Sequence, residues 1–73
     1  MTLDQLLKNQ QAVVKSINAE VVPLKLIEIG CLKGNLVEIL QIAPLSDPLY
    51  IKINDSFMSI RRDLAEQIEV ELI

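Results

Sequence analysis

The sequence predicts a mainly β domain: a small five-stranded barrel with one short α-helix between strands 1 and 2. Three observations predict it. Short β-branched or alternating segments recur at 12–17, 36–43, 49–53, 57–61 and 68–72. Prolines, glycines and Asn/Asp/Ser clusters separate them. Leu, Ile and Val supply 28 of the 73 residues, more apolar surface than five short strands can hide in a flat sheet. Curling the sheet encloses those side chains and removes exposed edges. The whole chain, 1–73, is expected to form one domain.

The elements follow in order. Thr2 with Gln5 has the spacing of a capping box, so TLDQLL opens as one helical turn packed down by Leu3, Leu6 and Leu7. AVVKSI (12–17) is the first strand. Pro23 suits the first turn of a helix, where no amide partner is lost. From there Val22, Leu26 and Ile29 fall on one face and Leu24 with Ile27 on another, leaving Lys25 and Glu28 to solvent. LVEILQIA (36–43) reads as a strand covered on both faces for part of its length. PLSDP is a loop. LYIKI (49–53) alternates, with Leu49, Ile51 and Ile53 inward; NDS turns the chain into FMSIR, completing a hairpin. RDLAEQ is one more helical turn. IEVEL closes the domain with Ile68, Val70 and Leu72 inward and Glu69 and Glu71 outward.

Composition narrows the function. The net charge is −3 and the aromatics are one Tyr and one Phe, so the basic, stacking surface of a nucleic-acid binder is missing. One cysteine and no histidine give neither an internal disulfide nor a zinc ligand set. Lys25 and Glu28 interrupt the best apolar run, and MTLDQLLKNQ has an early acid and no basic leader. The expectation is a cytoplasmic protein, with packing and self-association as its supports.

Both glycines and the cysteine lie in IEIGCLKGNLVEI (27–39). A phosphate loop would need a longer glycine spacing followed by Lys and Ser/Thr, whereas Asn35 and Leu36 follow Gly34. A membrane-helix contact would need a long apolar segment around the pair. A reactive thiol would need a base or a resolving partner, so Cys31 reads as a small buried hydrophobe. A backbone corner explains both glycines. Gly30 ends the helix in a left-handed conformation, with Leu32 folding back onto the last turn, and Gly34 launches the next strand.

With that corner in place, LKLIEIGCLKGNLVEILQIAPLSDPLYIKI followed by SIRRDLAEQIEVE resembles the FeoA family, the ferrous iron transport protein A domain. Gly30, Leu32 and Gly34 match the family's corner. Ala43, Pro44, Leu45, Asp47 and Pro48 match its loop, and Arg61, Ala65, Ile68 and Val70 its end. Ser46 and Asn9 stand where the family commonly has glycine. The resemblance implies an SH3-like β-barrel. It also implies a cytoplasmic accessory role beside the membrane transporter FeoB, whose cytoplasmic end carries a GTPase domain. A similar domain closes iron-dependent repressors of the diphtheria toxin repressor type.

The expected function is therefore a non-enzymatic module that binds FeoB and modulates ferrous iron uptake, without a cofactor. Candidate contacts are Leu24 on the helix, Leu32 and Lys33 at the corner, and Leu45 with Asp47 in the two-proline loop. Leu45 leads, because an apolar residue at a loop tip gains little from folding alone. Asp47 reads first as a turn residue that hydrogen-bonds its own backbone. Arg61 and Arg62 read first as ion-pair partners of Asp63 or Glu66, and second as a site for an acidic partner or a nucleotide phosphate. Two rival readings stand beside this one. The first is direct binding or sensing of ferrous iron or another transition metal, for which only scattered acids are available. The second is a self-assembling structural protein, forming weak homo-oligomers through the helix or a sheet edge.

Overall fold

The computed structural model describes all residues, Met1–Ile73. Its strands are β1 (Gln11–Ile17), β2 (Leu36–Ile42), β3 (Leu49–Ile53), β4 (Ser56–Ile60) and β5 (Ile68–Leu72). Helix α1 (Leu24–Glu28) lies between β1 and β2, and α2 (Arg62–Ala65) between β4 and β5. Short 3-10 turns occupy Leu3–Gln5 and Pro44–Ser46.

All five strands join one antiparallel sheet in the order β4-β3-β2-β1-β5. The register slips between Val14 and Ser16 against β5, and between Ile39 and Gln41 against β3. An extra residue on one strand bends it and increases its twist, so these two slips let a short sheet curl around its own side chains. The strand pairings leave β4 and β5 as edges, so the hydrogen-bonded closure of a barrel is not among them.

Period-two alternation decides which residues fill the interior. Leu49, Ile51 and Ile53 of β3 are buried, as are Val37 and Ile39 of β2, Ala12 and Val14 of β1, and Ile68 and Val70 of β5. Leu3, Leu6, Val22, Leu26, Cys31, Ile60 and Ala65 complete a single cluster of 16 side chains. At about 25 cal/mol per Å² of apolar surface removed from water, this burial is the main force holding the domain together.

Several expectations need correction. Leu72 is exposed rather than inward, because β5 outruns the core it covers. Leu7 is exposed too: the first turn ends at Gln5 and Leu6 is already extended, which swings the next side chain outward. Pro23 stands just outside α1 as its N-cap, with ψ 144°, so Val22 anchors the chain before the helix and not within it. β2 is covered on one face only, with Glu38 and Leu40 half-buried on the other. Gln5 does reach back as the capping pattern requires, its Oε1 accepting the Thr2 N–H at 2.8 Å.

Candidate partner-binding site

The loop between β2 and β3 is closed at its neck, where the Ala43 N–H donates to the Pro48 carbonyl at 3.1 Å. Within it Leu45 (φ 68°, ψ 18°) and Ser46 (φ 68°) are both left-handed. An L-residue pays roughly 1–2 kcal/mol for that conformation. Leu45 recovers none of it by burial, being 99% exposed. An apolar side chain held in a costly backbone and presented wholly to solvent is the most conspicuous surface feature of the domain.

Arg62 holds this loop. Its backbone N–H donates to Asp47 Oδ1 at 3.0 Å, its Nε to the Ser46 carbonyl at 2.7 Å, and its Nη1 to the Asp4 carbonyl at 2.7 Å. One guanidinium thus ties the loop and the N-terminal turn to the start of α2. The carboxylate of Asp47 also caps the first amide of that helix. Asp47 was expected to bond within its own turn, and Arg62 to pair with a neighbouring acid. Instead each serves a distant segment of the chain. Arg61 does pair with Asp63, at 3.3 Å on the exposed surface.

The corner at the other end of β2 is built as the glycines require. Gly30 has φ 115°. Its N–H donates to the Ile27 carbonyl at 3.0 Å, and that of Cys31 to the Leu26 carbonyl at 3.1 Å, the paired bonds of a Schellman ending. The apolar residue that folds back is therefore Cys31, fully buried with Leu26, and not Leu32, which is half-exposed. Burial without a cationic neighbour pushes the Cys31 thiol up to about 11, which makes it an inert packing group. Gly34 (φ 94°) donates to the Val14 carbonyl at 2.8 Å and sets the chain onto β2.

The five candidate contacts do not form one patch. Leu32 and Lys33 precede the first residue of β2, and Leu45 and Asp47 follow its last. Seven strand residues, about 20 Å of chain, separate the two groups. Leu24, on α1, is exposed with the corner group. Sequence reasoning also missed two surface aromatics. Tyr50 of β3 and Phe57 of β4 are both exposed, with ring centroids 6.4 Å apart and planes 18° from parallel. The alternation of LYIKI already placed Tyr50 on the outer face; its partner could be found only once the hairpin register was known.

Both residues that stand at glycine-favouring positions have a physical reason for that preference. Asn9 (φ 69°) and Ser46 (φ 68°) both occupy left-handed backbone, the region a glycine enters without cost.

Comparison with known proteins matches the whole of this architecture. The model of the FeoA domain fits residues 1–72. The chain is 39% identical over 74 residues to the Fe(2+) transport protein A/Fe(2+) transporter FeoB fusion protein of Porphyromonas gingivalis. That match takes in 100% of this chain and only 9% of the fusion protein's length. The FeoA protein of Chlorobium tepidum superposes with a TM-score of 0.88 at 30% identity, over 100% of this chain and 70% of that one. A Stenotrophomonas maltophilia FeoA, solved in complex with zinc and described as a prokaryotic SH3 domain protein, gives 0.84 at 26% identity. It aligns over 97% of this chain and 89% of its own. The family model spans all but the last residue, and this chain belongs to the FeoA family.

Proposed function

We propose that this domain is a non-enzymatic, cytoplasmic accessory module of ferrous iron uptake that binds the FeoB transporter and modulates it. The observation that carries the reading is the fusion in Porphyromonas gingivalis, where a sequence 39% identical to this one shares a polypeptide with FeoB. A domain of this family that shares a polypeptide with FeoB works beside it, which supports FeoB as the partner of this domain too. Leu45 is the leading contact. Its full exposure and left-handed backbone leave it no role in folding, and an apolar side chain at a loop tip docks well into a hydrophobic pocket. Asp47 supports it indirectly, by fixing the loop against Arg62. Leu24, Leu32 and Lys33 form a second, separate contact at the corner.

Co-purification with the cytoplasmic part of FeoB tests this. Leu45→Asp is expected to abolish capture while leaving the circular dichroism and melting temperature unchanged. Undiminished capture by a folded Leu45→Asp variant would remove the loop from the interface. Failure of the wild-type domain to bind FeoB in any nucleotide state would remove the function itself.

A further inference from the structure

The two edges of the sheet are treated differently. The outer edge of β5 is occupied by the chain's own N-terminus: the Val70 N–H donates to the Met1 carbonyl at 2.8 Å, and Thr2 bridges to Glu69. β5 also carries Glu69 and Glu71, charges that discourage further pairing. β4 has neither protection. Its sequence, SFMSI, holds no charge, proline or glycine. No backbone hydrogen bond outside the sheet ladder reaches Ser56–Ile60.

The hairpin register says which groups are free. A two-residue turn, Asn54–Asp55, joins Ile53 to its partner Ser56, so Ile53 and Ser56 form a hydrogen-bonded pair. Such pairs alternate along an antiparallel ladder. Met58 and Ile60 therefore bond back to β3, while the N–H and C=O groups of Phe57 and Ser59 point away from the sheet.

We propose that this edge pairs with β4 of a second copy of the chain, antiparallel about a two-fold axis at Met58. In that register Phe57 of each copy faces Ser59 of the other, and the two residues exchange both free backbone bonds. A large side chain meets a small one, and the absence of charge on β4 means that no like charges meet. The two Phe57 rings become diagonal neighbours, within reach of one another. Each already lies beside its own Tyr50 at 6.4 Å, so four aromatic rings form one continuous strip across the join. β5 pairing with itself would instead bring acidic residues together, which is why β4 is the edge that associates. A pairing of five-residue strands buries less than the roughly 1,200 Å² at the lower end of stable interfaces, so the dimer is weak and concentration-dependent.

Sedimentation equilibrium and amide NMR shifts, recorded on the full chain from about 50 µM to about 2 mM, test the proposal. A monomer–dimer equilibrium is expected, with concentration-dependent shifts centred on Phe57 and Ser59. Phe57→Lys places like charges diagonally across the axis, and Ser59→Lys sets a long cation against the opposing ring. Each should weaken association at least tenfold while retaining the wild-type spectrum elsewhere. A monomer throughout that range overturns the proposal. So does a dimer whose shifts fall on α1 or β5, or one that both lysine variants leave unchanged. Shifts of β4 amides seen only on adding a FeoB fragment would assign the edge to a different partner and equally overturn it.

Discussion

The side-chain amide of Asn54, in the β3–β4 turn, stands where a Cβ on Gly30 would be. The corner after α1 and the tip of the hairpin therefore interlock through the one residue type that has no side chain. Asn35 reinforces the contact, its Nδ2 donating to the Gly30 carbonyl at 2.7 Å.

The two glycines should respond differently to replacement. Gly30→Ala combines an unfavourable φ of 115° with a contact that the movable side-chain amide of Asn54 must yield, and is expected to cost about 1–3 kcal/mol in chemical denaturation, most of it from the backbone. Gly34→Ala meets open space and pays only for its φ of 94°, about 1 kcal/mol. Adding Asn54→Gly to the Gly30→Ala variant removes that contact and should restore the smaller part of the loss.

The loop that presents Leu45 should trade stability against binding. Glycine at that position relieves the left-handed cost but adds freedom to the unfolded chain. Leu45→Gly is therefore expected to gain about 0.5 kcal/mol while losing capture by FeoB. Thermal melts and co-purification, run on the same preparation, check both halves.

Arg62 should resist conservative substitution. Its guanidinium serves the carbonyls of Ser46 and Asp4 at once, a geometry that a single ammonium on a flexible stem does not reproduce. Arg62→Ala and Arg62→Lys are each expected to lower stability by about 1–3 kcal/mol. Amide hydrogen exchange should quicken in both the 43–48 loop and the N-terminal turn. Exchange that quickens in only one of them would mean that the residue does not couple the two.

Cys31 sets an alkaline limit. Burial raises its pKa from 9.0 to about 11 in the folded state, so the unfolded thiol ionises first. The stabilisation from keeping it protonated is complete below pH 9 and declines as pH rises towards about 11, a loss of about 2 kcal/mol. Subtracting the pH profile of Cys31→Ala from that of the wild type isolates this term. The same burial should make the native thiol slow to react with alkylating reagents at neutral pH.

Much of the fold was legible because its signals are local. The alternation of LYIKI named its own buried face, and Pro23 and Gly30 bracketed α1 to within a residue, since proline and glycine act on the backbone wherever they stand. The two-proline loop and the exposure of Leu45 were also visible, because an apolar residue between turn-formers has nothing nearby to pack against. The family, too, could be read from the corner and the loop taken together.

Contacts between distant segments needed the folded chain. No spacing rule links Arg62 to Asp4 and Ser46, or Gly30 to Asn54; curling the sheet brings those residues together. Local periodicity placed Leu72 inside, yet the core ends before β5 does. The chain's own order supplied the strands, the corner and the exposed leucine, because those depend on neighbours a few residues away. Tertiary structure alone decided which edge stays open and which candidate contacts share a surface, because both depend on where the register of one strand leaves the next.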